Sequence, residues 1–452
     1  MTDLPSLDQV ADRIEDLMTR HRLPSVALAI ARGDRVEARG FGLADLRGRA
    51  ATGATPYLLA SVTKPIVATL CVVLAERGLA DLDEPLADRL PWLDAERPGR
   101  RGRPTARQAL THTAGFGRYW DFAYDEAPPG IERAVQRYGV LIHEPGTRFE
   151  YANLGYGLLE PWLEAATGHP LAELLDRYLF RPLGLESGAF GPGAGGAEAA
   201  VPYTRERHVP YPTIHTSHPA ASMAWMSAAD LARFGTAHTD RSEVLAPGSA
   251  AAVRTPGLEE APERYGLGWN VRHPGGVEVL AHGGDMCGVG ASLAVLPQLG
   301  VSVAAVVNRT GSFEHARTAC EILLEGLVGR IGSESDPVAV ALPEGEWSGR
   351  AETPFGPVPL LVGASGDGEL WVEVAGERTR ARAEAEESYD VMIAAEAQLP
   401  TPDALRAGPW LELALDVGGD RLTGSARAVK HGESGDRVGN CLTHWCELER
   451  VR

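Results

Sequence analysis

Apolar residues at Leu7, Val10, Ile14 and Leu17 recur with the spacing of one helix face. Ser6 and Gln9 stand in capping-box register before them, so the chain opens with a predicted amphipathic helix that Pro24 ends. SVALAIAR then reads as a buried strand, Gly33-Asp34 as a hairpin turn and RVEARGFGLAD as the return strand. From Ser61 to Gly78 the pattern is apolar on nearly all sides, which predicts a central, buried helix. Tyr156 to Gly168 predicts another helix, and the Gly-rich residues 191–200 a flexible surface loop. Between Tyr265 and Gly311, YGLGWNV, VEVLAHGGD, GASLAVLPQLG and VSVAAVVNRTG read as successive strands of an antiparallel meander. A helix from His315 returns over it. Beyond Gly345 the texture changes to short alternating segments such as ELWVEVAG, WLELALDV and THWCELERV, which predict a small separate β-barrel or sandwich.

These patterns give an α+β class. The expected layout is a first domain over residues 1–335, a polar, proline-marked linker over 336–344 and an antiparallel β-barrel domain over 345–452. The chain's 452 residues are ample for such cores, and its 52 glycines and 32 prolines imply long ordered loops between elements. A net charge of -18 argues against nucleic acid, whose phosphates need a basic face. The first 24 residues lack a basic head followed by an apolar run, and no apolar stretch reaches the ~20 residues of a bilayer span. The expectation is a cytoplasmic protein with no membrane partner. Five scattered cysteines without CxxC spacing argue against a disulfide framework or zinc knuckle.

Ser61-Val62-Thr63-Lys64 opens the apolar helix, and an i, i+3 pair shares a face about 5–6 Å apart. Burial lowers a lysine pKa, so Lys64 can become the neutral amine that takes the Ser61 proton. Pro65 fits if it falls in the first turn, where its missing N–H breaks no intrahelical bond. The alternative is a solvated first turn. Tyr151 and Asn153 follow a Pro-Gly turn and point from a loop to one side: a phenol near an ammonium can exchange protons, and an amide can orient the lysine or a substrate. An aromatic anchor with a helix cap is the competing reading. His282-Gly283-Gly284-Asp285 ends a strand, where two glycines let the backbone approach a ligand and set a second N–H opposite that of Ser61. Two such donors form an oxyanion hole; a Gly-Gly hairpin turn is the alternative.

Ser61-x-x-Lys64, Tyr151-x-Asn153 and His282-Gly-Gly, in that order, resemble the serine β-lactamase and penicillin-binding-protein superfamily, in its class C-like branch of peptidases and esterases. YLLASVTKPI, LTHTAGF, EPGTRFEYANLGYGLLE, MSAADLARFG and YGLGWNV carry the likeness further, over residues 6 to 330. The resemblance implies Ser61 as acylated nucleophile, Lys64 as base, Tyr151 as proton shuttle, Asn153 as a contact to Lys64 or substrate, and the Asp285 N–H as completing the oxyanion hole. The strand with His282, Gly283 and Gly284 would lie along the substrate. Tyr119, Trp120 and Trp225 fall in segments that border the cleft in that family, which implies contact with a bulky substrate; core or rim packing is the alternative for each. His282-Gly283-Gly284 stands where β-lactamases of this type have Lys-Thr-Gly, which favours esterase, D-peptidase or acyltransferase members.

The extra β-domain resembles the lipocalin-like tail of penicillin-binding-protein-type thioesterases, which implies a peptidyl thioester on a peptidyl carrier protein as donor and head-to-tail macrocyclisation as outcome. A cytoplasmic esterase or D-aminopeptidase is the second reading; a non-catalytic acyl-binding protein is the third. Neither a cofactor nor a metal is expected. His208, His215 and His218 lack carboxylate or cysteine partners at ligand spacing, GPGAGG lacks a preceding strand, and the Asn308 sequon has no secretory context. Cys287 lines the site or packs, and Lys430, Arg437 or Arg450 of the tail are candidates to bind a carboxylate.

Overall fold

Leu7–His21 forms α1, and the capping box is present: Ser6 Oγ accepts the Gln9 N–H while Gln9 Oε1 accepts the Ser6 N–H. Such a cap contributes about 1 kcal/mol. The chain is seen in a computed structural model that describes residues 6–124, 127–242, 244–259, 264–328, 342–366, 368–384, 386, 388–407, 409–430 and 437–451. Most of the expected linker, including residues 336–341, lies outside the described residues.

In chain order the elements that position the site are β1 (Ser25–Arg32), β2 (Arg35–Asp45), α2 (Thr63–Glu76), β3 (Trp120–Ala123), α3 (Asn153–Thr167), α4 (Ala228–Thr236), β4 (Asn270–Arg272), β5 (Val279–Met286), β6 (Val289–Leu296), β7 (Val301–Val307) and α5 (Phe313–Leu324). A short strand at Arg49–Ala50 and then β2, β1, β7, β6, β5 and β4 make a seven-stranded antiparallel sheet. Its central strands are buried on both faces, so alternation along β1 divides two cores: Val26, Leu28 and Ile30 pack under α1 and α5, while Ala27, Ala29 and Ala31 join the core that holds α2 and α4. α2 is enclosed throughout; every residue from Thr63 to Leu74 is buried, as its all-round apolar pattern requires.

The tail runs through β8 (Gly345–Thr353), β9 (Gly356–Ala364), β10 (Leu370–Val374), β11 (Glu377–Glu384), β12 (Val391–Ala395), β13 (Trp410–Gly418), β14 (Arg421–Lys430) and β15 (Arg437–Arg450). Each strand pairs with the next, and β15 pairs back on β8, so the eight strands close into an antiparallel barrel and leave no open edge. Of the two tail architectures expected, the barrel is the one formed. β15 is also long enough to take β3, from outside the barrel, as an extra neighbour, with Cys441 opposite Trp120 and Asn440 opposite Asp121.

Three sequence expectations shift. The Ser61–Gly78 helix is split, with Ser61 in a 3-10 turn (Ala60–Val62) ahead of α2. α3 begins at Asn153 because extended Ala152 is its N-cap, so Asn153 is a helix residue rather than a loop residue. YGLGWNV is strand only from Asn270: Gly268 turns at φ +85° with a β-carbon position 2.6 Å from the Ala68 side chain, a close approach that glycine alone permits.

Candidate functional site

Ser61 is presented by a strained turn. Leu59 N donates to Ala224 O at 2.9 Å, and Ala60, fully buried, then takes φ +47°, a left-handed conformation uncommon for a residue with a side chain. α2 starts two residues after Ser61, which puts Pro65 in its first turn and Lys64 directly above Ser61. Lys64 Nζ lies 3.2 Å from Ser61 Oγ, 2.7 Å from Asn153 Oδ1 and 3.1 Å from Ala221 O. Two of these neighbours are uncharged and accept only. A neutral amine can therefore donate to both and turn its lone pair toward the Ser61 hydroxyl. Complete burial favours that state, holding the Lys64 amine well below the usual lysine range.

Asn153 is locked at both ends of its amide, since Nδ2 donates to Tyr119 O at 2.8 Å while Oδ1 accepts from Lys64. The Tyr151 ring centroid is 4.7 Å from Lys64 Nζ and 4.2 Å from the His112 ring. His112, Tyr156 and Tyr265 complete an aromatic box around the lysine and the phenol.

β5 closes the opposite wall. β4 covers its outer edge only as far as Ala281, so His282 to Asp285 pair with β6 alone. The two glycines are demanded by packing: a β-carbon on Gly283 would fall 2.0 Å from Phe313, and one on Gly284 2.3 Å from Leu59 O and 3.2 Å from Ser61 N. The strand thus runs flat against the turn that carries Ser61. His282 is buried with both nitrogens engaged: Nδ1 donates to Gly283 O at 2.7 Å, leaving Nε2 to accept from Tyr265 Oη at 2.9 Å. Burial, reinforced by Lys64, pushes its imidazole down to about 3. It is a neutral, fixed ring rather than a free base. The Asp285 carboxyl is raised to about 6 by desolvation, against the stabilising Gly311 N–H.

Ser61, Tyr151, Asn153 and the stretch from His282 to Asp285 line a cavity of about 760 Å³ with Trp120 on its wall and Glu386, Ser388 and Lys430 contributed by the barrel. Two aromatic residues expected at the cleft lie elsewhere. Tyr119 is buried and stacked on Tyr138 at 5.5 Å, and its carbonyl accepts from the Asn153 amide. Trp225, in a strand beneath the Ser61 turn, buries its indole and donates Nε1–H to Gly191 O at 2.9 Å. Cys287 lines the cavity as a buried thiol. His218 packs against Tyr119 and Phe122, and among the described residues no group of three potential metal ligands forms.

Two residues that the motifs did not single out complete the surroundings. Glu150, next to Tyr151, is buried and accepts from the Arg118 N–H at 3.0 Å and from Arg427 Nη2 at 2.9 Å. Arg427 comes from β14 of the barrel and is itself fully buried. Burial alone would raise the Glu150 carboxyl; Arg427, helped by His143 and Arg118, brings it down to about 2.

The beta-lactamase family profile matches residues 10–326. The chain belongs to the beta-lactamase family. Among curated members of similar sequence, an unguisins hydrolase of Aspergillus campestris is 27% identical over 347 residues, 69% of this chain and 64% of that protein. Esterase EstB of Burkholderia gladioli is 33% identical over 229 residues, 44% of this chain and 56% of that one. The chain thus spans 56% to 64% of the length of these relatives. Among solved structures, SurE with D-Leu superposes with a TM-score of 0.67 at 24% identity, covering 98% of this chain and 99% of that one. At such identity the likeness speaks to fold, and it includes the barrel. In the described residues no helix is long and apolar enough to cross a membrane.

Proposed function

We propose that the chain is a serine acyltransferase that forms an acyl-enzyme on Ser61. The observation that carries this reading is the buried Lys64 amine, held by two uncharged acceptors and aimed at Ser61 Oγ from 3.2 Å. In the first half-reaction Ser61 Oγ bonds to the acyl carbonyl carbon, its proton passes to Lys64, and the bond to the leaving sulfur or oxygen breaks as Tyr151 supplies that atom with a proton. The Lys64 ammonium then reprotonates Tyr151. The N–H groups of Ser61 and Asp285 hold the carbonyl oxygen, a role worth about 2.7–4 kcal/mol per donor. Gly283 and Gly284 give the substrate a flat strand edge, and Trp120 contacts its side chains. In the second half-reaction an amine or water attacks the acyl-enzyme by the same steps in reverse.

For the acceptor we propose the substrate's own N-terminal amine, giving a head-to-tail cyclic peptide from a thioester on a carrier protein. The barrel supports this, because Glu386, Ser388 and Lys430 overhang the cleft and shelter the acyl-enzyme from water. D-Leu accompanies SurE in the superposing structure, and other relatives are D-aminopeptidases, both consistent with a D-configured acyl residue. In this reading residues 1–335 and 345–452 act as two domains on one substrate. A peptidyl N-acetylcysteamine thioester ending in a D-residue is expected to yield cyclic product, whereas hydrolysis alone would overturn cyclisation. The similarity to EstB favours a simple esterase instead; short-chain ester turnover without any preference for peptidyl thioesters is the outcome that would select it.

A further inference from the structure

Tyr151 lies in a non-helical link between the Pro-Gly turn and α3, yet its ring must stay within reach of Lys64 and the leaving group. His112, from another segment, holds the backbone on either side of it. His112 O accepts the Glu150 N–H at 2.8 Å, and His112 Nδ1 accepts the Ala152 N–H at 3.1 Å. One residue therefore grips the backbone on both sides of Tyr151. Its imidazole also lies against the Tyr151 ring, centroid to centroid 4.2 Å, with Lys64 Nζ 4.7 Å from that ring centroid.

The arrangement is costly, which argues against simple core filling. His112 takes φ +57°, outside the usual range for a residue with a side chain. Because Nδ1 accepts, the ring proton sits on Nε2, and that buried N–H has no hydrogen-bond partner among the described residues. Burial keeps the ring neutral, the only state in which Nδ1 can accept.

We propose that His112 is the positioning residue for Tyr151, a neutral imidazole clamp that fixes the phenol between itself and Lys64. The proposal rests on the reading of Tyr151 as proton shuttle. Asparagine and glutamine separate the clamp from mere bulk: Asn places an acceptor where Nδ1 stands and tolerates positive φ, whereas Gln reaches the position of Nε2.

The test uses the full chain with p-nitrophenyl butyrate and, independently of turnover, the Tyr151 resonance in protein labelled with [13Cζ]tyrosine and assigned through Tyr151→Phe. His112→Ala and His112→Gln are expected to lower kcat by about 10–100-fold, less than the ~10²–10⁴-fold of a lost general acid–base group because Tyr151 itself remains, with KM within about twofold. Both should shift the Tyr151 resonance. His112→Asn is expected to recover kcat to within about fivefold of wild type and to keep the resonance in place. Equal kcat in the Asn and Gln variants, or an unmoved Tyr151 resonance in Gln, would overturn the clamp. If the Ala variant does not fold, the Asn and Gln pair decides alone. A wild-type chain inert toward the ester would count against acyl transfer, and the resonance comparison would still decide the clamp.

Discussion

The hydroxyl and amine of Ser61 and Lys64 are a three-residue spacing in the sequence, and that spacing was enough to place them because a helix start leaves little freedom. The aromatic residues were not readable in the same way. Tyr119 and Trp120 are adjacent, yet one is core and the other lines the cleft, since Tyr138 and Ser217 capture the Tyr119 ring and neither partner is near in sequence. A consequence at this scale concerns charge. Lys64 titrates well below an exposed lysine, so between its folded pKa and about 10.4 the unfolded chain binds a proton that the folded chain does not. Folding stability therefore rises with pH across that window, and the burden of Lys64 burial is greatest on its acid side. Lys64→Met removes the burden together with the base. Turnover of p-nitrophenyl butyrate should fall by about 10²–10⁴-fold, while Tm is unchanged or higher; a variant that is both active and less stable would contradict this reading.

At the scale of elements, hydrophobic period located the strands and helices well, and it failed where a side chain or a close approach, not periodicity, sets an end. α3 starts at Asn153 because extended Ala152 is its N-cap, with its N–H taken by His112 Nδ1, and β4 is cut short by the close passage of Gly268 along α2. Gly284 is the point where element packing and chemistry meet, since β5 passes the Ser61 turn with no space for a methyl group. Gly284→Ala is expected to push the strand away from Ser61 and so to separate the two N–H donors facing the carbonyl oxygen. Loss of one such donor corresponds to about 10²–10³-fold in kcat. Steady-state kinetics with the same ester would read it, together with thermal unfolding to show that the sheet persists; wild-type kcat would mean that β5 does not supply a donor.

At the scale of the whole molecule, the tail's alternating pattern announced a β structure but concealed its attachment. Arg427 occupies an outward-facing strand position, where a charged residue ordinarily meets water; only docking of the barrel buries it against Glu150, one residue from Tyr151. Ser425 Oγ accepts from Arg427 Nε and Glu386 from Nη1, so each guanidinium nitrogen has an acceptor. Removing one partner of such a pair leaves a buried, uncompensated charge, which costs about 3–5 kcal/mol. Arg427→Met should therefore lower stability by that order and, because Glu150 anchors the link that carries Tyr151, reduce kcat as well. The pH dependence has a definite sign: the Glu150 carboxyl is held at about 2, below its unfolded value of about 4.3, so its contribution is complete above pH ~4.3 and is lost as pH falls toward 2. In Arg427→Met that acid-limb loss should largely disappear, since the stabilising charge is gone at every pH. Urea unfolding of wild type and variant at pH 7 and pH 3 measures both effects; a stability difference that is the same at the two values would show that the pair does not couple the barrel to the catalytic part.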